Sequence, residues 1–242
     1  LKAGNTIFPV VSPDDYHFGE SMLGWWSYLN GIVPYIGYIP AHGIIGDDFT
    51  QFLSFVFYDG SAGTIAQVGN LAFAILAFAS FLSLYYFTRS IGFAFISIFC
   101  LFGNLSWLYL TPFLCLWLSP KLYVRPSHWL IVWMVTAPIA VLGVPPQGLL
   151  LAAASGLMAT YFAWRVWQNR KKESLNGVIA MAVVILVVGL VTPTGSMLLG
   201  AIRYVLENGP INQVAYGIPW SLSWVVGGQR GFVFEVVRMS WI

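Results

Sequence analysis

Four titratable side chains fall within seven positions near the start of the chain. They are Asp14, Asp15, His17 and Glu20, in the stretch PDDYHFGESMLGWWSYLNG that runs from Pro13 to Gly31. Adjacent carboxylates with a third nearby can take a proton from an attacking hydroxyl or amide. Joined by a histidine, they can instead hold a hard divalent cation that neutralises a phosphate leaving group. Spacing alone does not choose between the two. His17 and Glu20 stand at i and i+3, but a zinc-protease pattern needs a second histidine four residues on, where Ser21 stands, so no zinc site is predicted.

A second polar group follows in the turn PAHG and just after it: His42, Asp47 and Asp48. One reading is loop polarity plus the capping of a short helix. The other makes these residues a second polar wall over the first helix. Far along the chain stand Arg203, Glu207, Arg230, Glu235 and Arg238. Arg203 is a candidate for binding a lipid-linked phosphate through its planar guanidinium, with ordinary pairing to Glu207 as the alternative. His128 follows Arg125-Pro126 and reads as interfacial.

The elements that carry these residues follow from local signals. Ser12 is a good N-cap, Pro13 suits the first helical position, and Asp14 and Asp15 suit the positive end of the helix dipole. Asn30-Gly31 is a stop signal. Pro13–Asn30 is therefore predicted to be one helix. Phe18, Met22, Trp25, Trp26 and Leu29 lie on one face, with Asp14, His17, Ser21, Gly24 and Tyr28 beside them. The paired tryptophans predict a helix lying along a membrane interface. Its acids could simply complement the dipole, but capping needs one acidic residue rather than four titratable groups. From Gly31 the prolines and glycines predict a structured loop. Asp47 or Asp48 is expected to cap a short helix, Phe49–Tyr58, closed by Asp59-Gly60.

Most of the remaining chain is apolar. The 242 residues are 58% hydrophobic and 8% charged, against about 25% charge in soluble domains. Mean hydropathy is +0.77. The fold class predicted is all-α, a polytopic transmembrane helical bundle with an extracytoplasmic loop carrying interfacial helices. The regions are 1–63 as that loop, 64–192 as the membrane part, and 193–242 as an extracytoplasmic tail or the start of a further membrane segment. Spans are expected at 64–87, 129–143, 147–167 and 175–191. The run 91–119 is either one long span or two short ones turning at Gly103-Asn104. Two short ones put Arg89, Lys121, Arg125 and the basic cluster at 165–172 on a single side, which the positive-inside bias favours. Cys100 and Cys115 sit in apolar runs and imply neither disulfides nor a metal site. Leu1 in place of Met and the stop after Trp241-Ile242 predict a fragment, lacking a first transmembrane helix and further helices after the end. Nothing points to nucleic acid, and the net charge of +2 reflects topology.

An acidic pair, then DYHFGE, then LNGIVPYIGYIPAHG resembles the first extracytoplasmic loop of the GT-C superfamily, over Asp14 to about Asp48. These are integral membrane glycosyltransferases that use polyprenyl-phosphate sugars. The resemblance implies an inverting transfer to a glycan, lipid or protein acceptor, with Asp14 or Asp15 as the essential acid; Glu20, which points away from Asp14 around the helix, ranks third. Read as residues, His17, His42, Asp47, Asp48 and, outside the stretch that carries the resemblance, Arg203 are the candidate substrate contacts, and some members of the superfamily use a divalent cation such as Mg or Mn. The resemblance also implies membrane lipid as surroundings and an active site facing outward from a bacterial inner membrane. No acceptor signature of a subfamily is recognisable. The alternative is a non-enzymatic transporter or flippase for a lipid or polysaccharide precursor, and a structural subunit of a membrane assembly is a third. A transporter places ionisable residues within its spans, near the midplane. The runs 64–87, 147–164 and 175–191 carry no Asp, Glu, Lys or Arg, which favours surface chemistry.

Overall fold

The computed structural model describes residues 15–40, 42–101, 105–169 and 172–215; of 15–18, 20, 21, 66, 169, 172, 173 and 209–215 it describes the backbone only. Helices account for nearly all of it: α1 (Asp15–Leu29), α2 (Phe49–Phe57), α3 (Ile65–Thr88), α4 (Ile91–Leu101), α5 (Leu105–Trp117), α6 (Pro120–Tyr123), α7 (Pro126–Gly143), α8 (Pro145–Asn169), α9 (Lys172–Val191) and α10 (Thr194–Ala215). A π-helical turn, Ile44–Asp48, leads into α2. No strand occurs among the described residues.

Four stretches are long and apolar enough to cross a membrane: Gln67–Thr88, Pro126–Gly143, Pro145–Gln168 and Ser174–Val191. The last turns Val183, Val184, Leu186 and Leu190 outward, all more than half exposed. A surface of that kind is unfavourable in water and at home in lipid. The protein is an integral membrane protein.

The ambiguous run 91–119 forms two helices. At about 1.5 Å per residue neither α4 nor α5 spans a ~30 Å core. Both lie along α3. Pro112 cannot donate to the carbonyl of Leu108 four residues back. The buried hydroxyl of Ser80 donates to that carbonyl instead, at 2.6 Å, and so pins α5 to α3. The C-terminal end of α5 returns to the end of α3, where Arg89 and Lys121 line one cavity. Arg125 and His128 line a neighbouring cavity with Val166 and Ser174. One end of the bundle is therefore basic.

The core lies between α5, α7 and α8. Trp129, 1% exposed, donates its ring N–H to the carbonyl of Trp117 at 2.7 Å. Trp117 donates to Thr136 and Trp133 to Ser155. Each indole thus buries a large apolar ring with its one donor satisfied. Small residues set the closest helix approaches: a Cβ on Gly148 would stand 2.1 Å from the Ala140 carbonyl oxygen, and one on Gly195 2.3 Å from that of Gly189. Residues 194–215, expected as a tail or the start of a membrane segment, are a helix packed on α7, α8 and α9. Arg230, Glu235 and Arg238 lie outside the described residues.

Candidate functional site

The loop that follows α1 closes the end of the bundle opposite the basic residues. Gly31, at φ +65°, ends α1 as the Asn30-Gly31 signal predicts. The helix is tied down by Trp25, whose ring N–H donates to the carbonyl of Gly60 at 2.8 Å. Gly24 and Ser27 face inward, whereas Leu23, Trp26 and Leu29 point out.

Tyr35 fixes the loop. Its backbone is left-handed, φ 61°, an uncommon conformation for a bulky residue. Three ties hold it. Its N–H donates to the Tyr38 carbonyl at 2.7 Å, its phenol donates to the Leu142 carbonyl at 2.9 Å, and its own carbonyl abuts Gly200 of α10, where a Cβ would stand 2.1 Å away. Gly43, at φ +90°, lies equally close to the Gly143 carbonyl at the end of α7.

The π-helical turn then sends two adjacent carboxylates in different directions. Asp47 accepts the backbone N–H of His42 at 2.8 Å and pairs with its Nδ1 at 3.0 Å. The His42 side chain is 52% exposed and that of Asp47 12%. A carboxylate on Nδ1 fixes the tautomer and orientation of an imidazole, the arrangement of an acid–base or phosphate-contacting histidine.

Asp48 goes inward and is fully buried. Its Oδ2 accepts from the Tyr38 phenol at 2.8 Å. Its Oδ1 has no hydrogen-bond partner among the described residues and faces α1, where a Cβ on Gly24 would stand 2.7 Å from it. Gln51 flanks the same glycine. The Ser27 hydroxyl is buried without a partner among the described residues as well. Burial pushes the Asp48 carboxyl up to about 7, the Tyr38 hydrogen bond opposes the rise, and the charge of Asp47 adds to it. Burial and then the charge of Asp48 push the Tyr28 phenol up to about 12 and hold those of Tyr35 and Tyr38 far above their ordinary value. At neutral pH, then, a carboxyl poised between its two forms sits among phenols that stay protonated.

The sequence-predicted residues distribute as follows. His42, Asp47 and Asp48 come together in one turn. The capping role fails for Asp48: it stands at the N-cap of α2 with no side-chain bond to the helix N–H groups, its carboxylate being turned toward Tyr38. Asp14 lies outside the described residues. So do the side chains of Asp15, His17 and Glu20, whose backbone forms the first turns of α1. Arg203 is ion-paired with Glu207 at 2.6 Å on an exposed face of α10, as ordinary pairing predicts, and no contact among the described residues joins it to the turn. Sequence reasoning set Gly24 and Tyr28 on the stripe of the first helix that holds Asp14 and His17 but gave them no role, and it missed Ser27, Tyr38 and Gln51. The tyrosine spacing in PYIGYIP was the one signal for Tyr38. Among the described residues no three His, Cys, Asp or Glu side chains converge into a cation site. The chain matches no family model, and neither a curated protein nor a solved structure shows detectable similarity to it.

Proposed function

We propose that the chain is a membrane glycosyltransferase that moves a sugar from a polyprenyl-phosphate donor to an acceptor at the loop end of the bundle. The observation that carries this reading is one turn holding an oriented, half-exposed imidazole, His42 on Asp47, beside a buried carboxyl poised near neutrality, Asp48. A carboxyl that titrates near the working pH can move a proton, and an imidazole fixed by a carboxylate can contact a phosphate. The resemblance over Asp14–Asp48 supplies the class of reaction. An apolar cavity of about 480 Å3 between α7, α8, α9 and α10, walled by Trp133, Pro138, Leu149, Leu186 and Leu198, suits the isoprenoid tail of such a donor. Val141 in that wall packs against Tyr35 of the loop.

In this reading Asp14 or Asp15 takes the proton of the acceptor hydroxyl as its oxygen bonds to the anomeric carbon. The sugar–phosphate bond breaks and its electron pair leaves with the polyprenyl phosphate. His42, held by Asp47, contacts the donor phosphate. With the basic end cytoplasmic, the loop faces outward from a bacterial inner membrane.

The test is transfer of labelled sugar from synthetic polyprenyl-phosphate sugars by membranes containing the protein. Asp14→Asn, Asp15→Asn and His42→Ala are each compared with the unaltered chain. At least one acid variant should fall by about 10²–10⁴-fold, the range of a lost acid–base group. Full transfer by all three folded variants overturns the proposal.

A further inference from the structure

At the basic end, α3 and α5 part to form an open groove of about 490 Å3 on the outside of the bundle. Its walls include Leu82, Ser83, Tyr86 and Leu116, and its mouth carries Arg89 and Lys121. Tyr86, Phe87 and Leu116 expose 63%, 41% and 37% of their surfaces, so the groove opens toward lipid.

Two features set it apart from an ordinary seam between helices. First, neither cation has an acidic partner among the described residues, whose ion pairs, His42–Asp47 and Arg203–Glu207, both lie elsewhere. Second, Arg89 stands at the C-cap of α3 in a left-handed conformation, φ 58°, a position that glycine or asparagine fills most readily. Its guanidinium lies over the face of Tyr86, 5.5 Å from the ring centroid, at the rim of the apolar groove.

We propose that this groove binds one anionic diacyl phospholipid, its headgroup phosphate on Arg89 and Lys121 and one acyl chain along Tyr86 and Leu116. The chemistry is complementary at both ends: two cations without an acidic partner among the described residues for a phosphate, which a guanidinium meets in bidentate fashion, and an apolar wall for a chain. Positive-inside bias puts the basic end in the leaflet richest in anionic lipid. The site is independent of the loop and of the glycosyltransferase reading.

Native mass spectrometry of the full chain, delipidated in detergent and then titrated with phosphatidylglycerol or phosphatidylcholine, tests it. The unaltered protein should retain one phosphatidylglycerol in preference to phosphatidylcholine. Each basic residue near an anionic surface contributes about fivefold, so Arg89→Asn with Lys121→Gln should lower retention about 25-fold. Asparagine keeps the left-handed cap at position 89. Ser83→Phe leaves every cation in place and fills the groove; it should lower retention comparably, and it decides the matter if the double variant does not fold. Arg125→Gln, at the same end but outside the groove, should retain the lipid. Equal retention of phosphatidylcholine, unchanged retention in Ser83→Phe, or an equal loss in Arg125→Gln would each overturn the site in favour of diffuse attraction to the basic end.

Discussion

Replacing Asp48 by asparagine should make the protein more stable at alkaline pH and nearly remove the acid–alkaline difference. The side chains have the same shape, and the asparagine oxygen can still accept from the Tyr38 phenol, as Asp48 does at 2.8 Å. What changes is the charge. Moving a carboxyl from its ordinary 3.8 to about 7 corresponds to about 4 kcal/mol of preference for the neutral form, at about 1.4 kcal/mol per pH unit. The folded chain therefore holds this proton to higher pH than the unfolded chain does. Stability from this group is fully present below the unfolded value near 3.8, declines as pH rises, and is lost once pH passes about 7. Most of that decline, about 3 kcal/mol, falls between about pH 5 and pH 8. Unfolding of the purified protein in detergent, followed by tryptophan fluorescence at both pH values, reads it directly. The unaltered protein should lose stability across the interval and Asp48→Asn should hold nearly constant, ending more stable at pH 8. Parallel pH slopes for the two proteins would refute the buried, proton-holding carboxyl.

Three further predictions rest on the packing. Gly24→Ala gains about 1 kcal/mol of helix propensity but drives a methyl within 2.7 Å of Asp48 Oδ1, and overpacking of that kind costs about 1–3 kcal/mol. Limited proteolysis of the loop should therefore quicken, whereas Gly19→Ala, with nothing within 4 Å among the described residues, should slow it or leave it unchanged. Trp129→Ala removes a ring packed at 4.8 Å on Phe162 and should destabilise the bundle by about 3–5 kcal/mol in the same fluorescence assay; a loss below about 1 kcal/mol would mean that α7 and α8 are held elsewhere. In a chain cleared of Cys100 and Cys115, a cysteine at Ser61 should react with an impermeant reagent in intact cells, and one at Val124 only after permeabilisation. The reverse pattern would invert the proposed orientation.

The helices were legible because their signals are local. Apolar length marks the spans and Asn30-Gly31 ends α1, although the spans expected from 129 and 147 start earlier, at Pro126 and Pro145. The hairpin of α4 and α5 could be read from charge alone, since it brings Arg89 and Lys121 to one end. Two things were not legible. The packing of α10 on the bundle was not read, because its glycines, its proline and its charged pair dilute the apolar signal and leave 193–242 open between a tail and the start of a further membrane segment; Arg203 and Glu207 at i and i+4 were the available clue to a helix. The burial of Asp48 was hidden for another reason. Its neighbours Asp47 and Phe49 say only that a helix is starting. Its direction is settled by Tyr38 and by the absence of a side chain at Gly24, which are decisions of tertiary packing that local capping rules do not weigh.

The contact between the Tyr35 carbonyl and Gly200 joins residues 165 positions apart. A ribosome adding about 5–20 residues per second needs roughly 8–30 seconds to cover that distance. Throughout that interval Tyr35 lacks one of the three ties that hold its left-handed backbone, and the turn bearing His42, Asp47 and Asp48 lacks the anchor behind it. The loop is made first and finished last. Its geometry depends on when α10 arrives, so a lesion near Gly200 would disturb a turn that was synthesised well before it.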